Sequence, residues 1–289
     1  MLPLYLVSRL ASQHVKVVLS GDGADELLAG YPTYVADQLA RGYQKLPGVL
    51  KNHWIPGIVN RLPVCEEKIS FEFKAKRFIH GARLSPEKAH YSWRIIFSEN
   101  DKRNLLKKEV LDQEHKDSFW TYERFYESTT SWDSLSRHQY ADMKVWLVDS
   151  ILAKVDFMSM AHSLEVRVPF LNPTLVQFIA SLPPEYKLNN LKGKYILRKA
   201  MQDCLPAPIL KRKKAGFNIP IGQWLRSELK DFMTDVLTKE RIQNAGYFNW
   251  SYIQTLIDQH LKRKKDHGFK LLSLLHFSLW HDKFVRLQD

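Results

Sequence analysis

Acidic side chains are densest where a glycine-punctuated turn separates a short apolar run from a helix-like one, in Ser20-Gly21-Asp22-Gly23-Ala24-Asp25-Glu26-Leu27 followed by Gly30-Tyr31. Asp22, Asp25 and Glu26 place three carboxylates in one turn. Backbone N–H groups of a glycine loop and a helix N-terminus attract phosphate, whereas three carboxylates repel it unless a hard cation such as Mg2+ lies between them. The plain alternative is an ordinary Gly-Asp-Gly turn in which Asp25 and Glu26 complement a helix dipole. The residues leave both readings open. A second concentration of charge is Lys211-Arg212-Lys213-Lys214, a basic run beside Gly216 with apolar residues on both sides. Tucked against the body, a lysine there would bind phosphate as a point charge; otherwise the run is a solvated face. Asp149, Lys154 and Asp156 lie on a helical pattern that leads into Glu165 and Arg167, which flank Val166. These charges read either as an exposed face with short-range pairs or, at Glu165 and Arg167, as a partly buried ion pair fixing a turn.

The element that must position the acidic turn is Val15 to Leu19, a β-branched and apolar run that reads as a buried strand. In open α/β sheets ligands gather beyond the carboxyl ends of such strands. Ahead of it, Leu2 to His14 has apolar residues at 4, 6, 7 and 10, a spacing that predicts a helix packed on the sheet. Beyond Leu19 the strand candidates are brief, chiefly Glu165-Val166-Arg167-Val168, so most of a parallel sheet is missing. From Tyr31 to Arg83 short helices alternate with Pro47-Gly48, Pro56-Gly57 and Pro63. Ser85-Pro86-Glu87 and Ser98-Glu99-Asn100-Asp101 are helix starts. Long helical patterns resume near Trp132, the strongest over Tyr140 to Leu164 with Trp146, Leu147, Ile151, Val155, Met158 and Met160. Asn172-Pro173 caps a helix that Pro183-Pro184 stops, and Lys192-Gly193-Lys194 turns into another through Cys204. No repeat or linker interrupts the chain, which suggests a helix-rich α/β fold in one compact unit spanning 1–289.

A chain of 289 residues with 45% hydrophobic and 12% aromatic residues has ample material for a core. No run approaches the roughly 18 apolar residues of a membrane span, and the first residues lack the basic start of a secretory signal, so a cytoplasmic protein without membrane partners is expected. Cys65 and Cys204 lack metal or redox spacing and read as buried thiols. His14, His53, His80 and the other eight histidines show no ligand spacing of the HExxH kind, and no metal is assigned to them. The formal charge of +12 could steer an anionic substrate or nucleic acid, but the basic clusters 211–214 and 262–265 lack interleaved aromatic residues, which argues against nucleic acid.

Taken together, the blocks resemble the synthetase domain of glutamine-dependent asparagine synthetases. The resemblance rests on Ser20 to Leu27 with Gly30-Tyr31, on Lys154-Val155-Asp156 with Ser159-Met160-Ala161 and Ser163 to Leu171, and on Arg212-x-Lys214-x-Gly216-Phe217 with Trp224-Leu225. They occur in the family's order and span positions 15 to about 230. The resemblance implies an adenine-nucleotide α-hydrolase-like (ATP pyrophosphatase) fold, of which this chain is the carboxyl-terminal portion. It implies a ligase in which the β-carboxylate of aspartate attacks the α-phosphorus of ATP, giving β-aspartyl-AMP and pyrophosphate. Ammonia from glutamine then displaces AMP to give asparagine. On that reading Ser20, Gly21 and Gly23 present backbone to the nucleotide, and Asp22 orients or deprotonates ammonia. Asp25 holds Mg2+ and Lys214 stabilises the leaving pyrophosphate. Asp156, Glu165 and Arg167 support the site.

The chain departs from the pattern in informative places. Many members carry glutamate at position 22, where Asp22 is one methylene shorter, and arginine and aspartate where Phe157 and Asn172 stand here. The family's amino-terminal cysteine nucleophile and its Ser-Gly-Gly-x-Asp-Ser pyrophosphate loop have no counterpart in these residues, which accounts for the orphan strand. A separately encoded chain carrying the glutaminase domain and pyrophosphate loop is the expected partner. The rival readings are a related amidotransferase on another carboxylate, and a non-catalytic remnant that binds a partner or an anion.

Overall fold

The computed structural model describes residues 1–62, 71–113, 117–212, 216 and 219–285. Helices dominate the element order, and the described strands are short. Where the lack of a linker suggests one compact unit, the chain divides into two. Unit 1 comprises Met1–Leu46, Gly81–Tyr91 and Phe119–Phe217; unit 2 comprises Pro47–His80, Ser92–Ser118 and Asn218–Asp289. Apolar residues condense into separate cores within the two units.

In unit 1, helix α1 (Leu2–Ser12) precedes strand β1 (Val17–Leu19), which pairs in parallel with β2 (Glu165–Arg167) in the register Val17↔Glu165, Val18↔Val166 and Leu19↔Arg167. The strand candidate at 165–168 is therefore the neighbour that satisfies β1. The expected burial of Val15 to Leu19 is not met: Val15 and Val17 are exposed and Leu19 is 73% exposed. Among the described residues only β2 lies beside β1, and parallel strands become buried only when both edges and both faces are covered. After β1 the chain turns through Gly23 into α2 (Ala24–Leu27) and then α3 (Pro32–Gln44), with proline at the start of α3 where its missing N–H costs nothing.

The strongest helical pattern is longer and less regular than its spacing predicts. Ser134–Asp142 is α-helical, Met143–Leu152 is π-helical, and Ala153–Met160 returns to α geometry. The widened π turns rotate the apolar stripe, so that Leu147 is buried while Phe157 and Met160 are exposed. Asn172 caps the helix Pro173–Ser181, its Oδ1 accepting from the Thr174 and Leu175 amides. A tight hairpin of β3 (Leu188–Asn189) and β4 (Lys192–Gly193) follows, turned by Asn190 and Leu191, both at positive φ as a primed turn requires. The helix after it ends at Ala200 rather than running through Cys204, and the Cys204 thiol is exposed, not buried. Cys65 lies outside the described residues.

Unit 2 packs around Leu225, Met233, Ile253 and Leu271, drawn mainly from the helices Lys230–Val236, Trp250–Leu261 and Gly268–Phe284. Ser98 opens the helix Glu99–Leu105 with a full capping box to Asp101. Pro56, expected to break a helix, lies in Ile55–Asn60, which continues directly from the π-helical Leu50–Trp54, so the chain passes the proline through a widened helical turn rather than a break.

Candidate functional site

The acidic turn begins where the parallel ladder ends. The Ser20 amide donates to the Arg167 carbonyl at 2.8 Å, carrying the β1–β2 pairing one residue further, and the Ser20 hydroxyl donates to Asp22 Oδ2. Asp22 is thereby held half-buried at the strand end. A Cβ added to Gly21 would meet nothing within 4 Å, so packing does not demand glycine there. Gly23 is different: its φ of +87° is left-handed, and a Cβ would stand 2.3 Å from the Leu171 side chain. Its glycine is required by the turn itself.

The three carboxylates do not converge. Asp25 is buried and its Oδ1 lies 2.9 Å from Lys194 Nζ, with the two side chains 12% and 24% exposed. The backbone is shaped around this pair. A Cβ on Gly30 would stand 2.0 Å from Asp25 Oδ1 and 2.5 Å from Lys194 Cε, and one on Gly193 would stand 2.0 Å from the Ala29 carbonyl oxygen. Ala29 and Lys194 both take positive φ, and the Lys194 amide donates to the Leu28 carbonyl at 2.7 Å. Glu26 points into the core, where Oε1 accepts from the Tyr31 hydroxyl at 2.7 Å. Burial raises its pKa, the Tyr31 bond opposes this, and the charges of Asp25 and Asp142 add to the rise. Gln139 Nε2 donates to the carbonyls of Glu26 and Leu27 at 2.7 and 2.8 Å, pinning the short α2 to the long helix.

The remaining expected residues separate into three cases. Glu165 and Arg167 pair at 2.7 Å, but both are more than half exposed, so the partly buried pair expected from the sequence is corrected to a surface one of little energetic weight. A three-residue strand open on one face leaves alternate side chains in water. Asp156 is exposed on the helix Ala153–Met160, which packs against α1. Lys214 lies outside the described residues, and the neighbouring Lys211 and Arg212 are exposed.

Sequence reasoning missed Lys194 as the partner of Asp25, and it missed a buried polar cluster beneath α2. His90 sits between two carboxylates, with Nδ1 2.5 Å from Asp37 Oδ2 and Nε2 3.0 Å from Asp142 Oδ2. Burial alone would lower the His90 pKa, but the two carboxylates outweigh it and raise the value to about 9. The Tyr34 hydroxyl donates to Asp142 Oδ2 at 2.6 Å. His138 stacks on His90 with ring centroids 4.4 Å apart, and burial and then the His90 charge push its pKa down to about 3. No local spacing signals the cluster, because its members come from three separate helices.

The chain matches the asparagine synthase family model over residues 1–282. It is 32% identical over 280 residues to a glutamine-hydrolysing asparagine synthetase of Bacillus subtilis, covering 97% of this chain and 42% of the relative. A putative glutamine-hydrolysing asparagine synthetase of Mycobacterium bovis is 35% identical over 287 residues, covering 99% of this chain and 42% of the relative. A more distant relative from Penicillium rubens, 24% identical over 92% of this chain and 41% of its own length, is named an amidase. The chain thus spans about two fifths of the length of the relatives it matches.

Proposed function

Because this chain belongs to the asparagine synthase family, we propose that it supplies part of an ATP-dependent amide-forming ligase, the carboxyl-terminal share of a synthetase domain spanning 1–289 with an adenine-nucleotide α-hydrolase-like fold. The observation that carries the reading is the placement of Ser20-Gly21-Asp22-Gly23 immediately beyond the carboxyl end of β1, in a chain matched by that family along nearly its whole length. The substrates are aspartate, ATP and ammonia derived from glutamine. The β-carboxylate oxygen of aspartate bonds to the α-phosphorus, pyrophosphate leaves, and ammonia then attacks the acyl carbon to release AMP and asparagine.

The residues present can be given definite tasks. Backbone at Ser20, Gly21 and Gly23 lies against the nucleotide, and open space over Gly21 permits close approach. Asp22, oriented by the Ser20 hydroxyl and half-exposed, accepts a proton from the attacking ammonia. Asp156, Glu165 and Arg167 support the surface around that end, and Lys214 neutralises the leaving pyrophosphate.

Mg2+ fits these residues in a narrower way than three carboxylates suggest. Glu26 is turned into the core, leaving Asp25 as the carboxylate that would hold the ion, which ordinarily takes one or two carboxylates with phosphate oxygens and water. When bound, the ion offsets charge on the phosphates. Until then Lys194 holds Asp25 in place through the 2.9 Å ion pair.

The partner is a polypeptide carrying the portion of the relatives that this chain does not span. Among the described residues β1 is paired on one edge only, and this edge with the exposed Leu6, Leu10 and Leu19 supports a surface completed by further strands. Among the described residues no helix is long and apolar enough to cross a membrane. The test is ATP–pyrophosphate exchange with Mg2+ and aspartate, on this chain with that partner, using folded Asp25→Ala as control. Exchange lost in the variant is expected; absence of exchange in the intact mixture overturns the proposal. Similarity along this chain extends to a relative not named an asparagine synthetase, which leaves a second reading, a carboxylate other than aspartate, and exchange supported only by another carboxylic acid would select it.

A further inference from the structure

We propose that Gln139 is a positioning residue for the acidic turn, the side chain that sets where Asp25 points; what this does for the reaction rests on the ligase reading above. Helix α2 is four residues long and lies between two left-handed positions, Gly23 at φ +87° and Ala29 at φ +53°. Both flanks leave helical geometry, so the direction of α2 is not inherited from a longer helix on either side. A contact from outside the turn must fix it.

The backbone acceptors of the turn show which contact does so. The Leu27 amide donates to the Gly23 carbonyl at 3.0 Å, Leu28 to Ala24 at 3.2 Å and Gly30 to Asp25 at 2.8 Å, and the Leu28 carbonyl accepts from the Lys194 amide at 2.7 Å. Among the described residues this leaves the Glu26 and Leu27 carbonyls without a backbone donor, the orphan acceptors of a helix end. Gln139 Nε2 serves both, at 2.7 and 2.8 Å, from a residue only 3% exposed. An NH2 group has two protons, and both are committed here. Gln139 Oε1 is buried and meets no donor among the described residues, and turning the amide over would set that oxygen against two carbonyl oxygens. The side chain thus has one usable orientation.

The residue that holds α2 is itself held. Gln139 lies one turn before Asp142 on the helix Ser134–Asp142. Asp142 Oδ2 accepts from the Tyr34 hydroxyl of α3 at 2.6 Å and lies 3.0 Å from His90 Nε2 on the helix Pro86–Ser92. Three helices are tied at that buried carboxylate, so the Gln139 amide is presented from a fixed frame. At the other end of the linkage, Asp25 Oδ1 stands 2.9 Å from Lys194 Nζ and would be 2.0 Å from a Cβ on Gly30. That fit leaves the carboxylate little room, and a swing of α2 breaks it.

The test is a double-mutant cycle of Asp25→Asn and Lys194→Met in the full chain, read by urea unfolding with a unit 1 probe. It is run once with Gln139 and once in Gln139→Met, which keeps the length and removes both donors. With Gln139 the coupling should be roughly 5- to 30-fold in the folding equilibrium; with Gln139→Met it should fall to within about twofold of none. A side chain that only adds stability lowers all four corners alike, so an unchanged coupling overturns the proposal. Gln139→Glu, of the same shape with at most one donor, should keep part of the coupling and carries the test if Gln139→Met does not fold. With the partner polypeptide present, Gln139→Met should raise the Mg2+ concentration for half-maximal ATP–pyrophosphate exchange about 10-fold, while saturating Mg2+ restores the rate to within about threefold. Equal half-saturation in the two chains also overturns the assignment. No exchange in the unaltered mixture overturns the ligase reading alone, since the unfolding cycle does not depend on it.

Discussion

Removing Lys194 isolates the energetics of the acidic turn from its chemistry. Lys194→Met keeps an unbranched stem of similar length over Gly30 but withdraws the ammonium 2.9 Å from Asp25 Oδ1. Breaking a fully buried ion pair from one side costs about 3–5 kcal/mol. Here the carboxylate is 12% and the lysine 24% exposed, so water recovers part of the loss and about 2–3 kcal/mol is expected. Asp25→Asn should cost less, about 1 kcal/mol, because the flexible lysine can turn to solvent. The double variant should then show a coupling of roughly 1–2 kcal/mol. Urea unfolding followed by a unit 1 probe reads this as a midpoint lowered by about 1 M for Lys194→Met, taking a slope of about 2–3 kcal/mol/M. A midpoint within about 0.2 M of the unaltered chain, with no coupling in the cycle, would refute the idea that Lys194 holds Asp25 in place.

Further expectations follow from the same geometry and are read by the same unfolding assay. Gly193→Ala should cost about 2–3 kcal/mol and exceed Gly21→Ala clearly, because its Cβ meets a backbone carbonyl at 2.0 Å whereas that of Gly21 meets nothing. Asn172→Ala should cost about 1 kcal/mol through loss of a cap that accepts from two amides, while Asn172→Asp should retain or slightly raise stability at a helix N-terminus. In unit 2, burial first and then the Arg226 charge lower the His260 pKa to about 4, with its Nε2 bonded to the Gly222 carbonyl at 2.9 Å. A histidine with a depressed folded pKa contributes stability above its unfolded value near 6.5 and loses it as pH falls toward 4. Unit 2 should therefore weaken between about pH 6.5 and 4, and His260→Gln should flatten that slope; an unchanged slope would count against the assignment.

What the sequence made legible was contiguous. The strand end, the turn and the carboxylates lie within a dozen residues, and Glu165 to Arg167 could be read as a strand because Val166 and Val168 mark the pattern. Caps at Ser98 and Asn172 were equally plain, since a capping side chain acts within three residues. The direction of each carboxylate was not legible. Asp25 and Glu26 are adjacent, yet one meets Lys194 from a distant hairpin and the other meets Tyr31 in the core. Nor could spacing show the joining of Asp37, His90, His138 and Asp142, because contact among three helices has no sequence period. The π turns at Met143–Leu152 defeated the apolar stripe for a related reason: a helical period assumed constant misplaces every later residue. Exposure of Leu19 follows from missing neighbours, a property that belongs to the sheet and not to the strand.

The most direct test of the proposed ligase chemistry follows oxygen. Aspartate labelled with 18O in its β-carboxylate is supplied with ATP, Mg2+ and ammonia to this chain together with the portion of a relative that it does not span, and AMP is analysed by mass spectrometry. Attack of the carboxylate on the α-phosphorus leaves one labelled oxygen in each AMP formed, and the Asp22→Asn variant should form it more slowly with the same label. AMP without label, or amide formation without AMP, would contradict the proposed route.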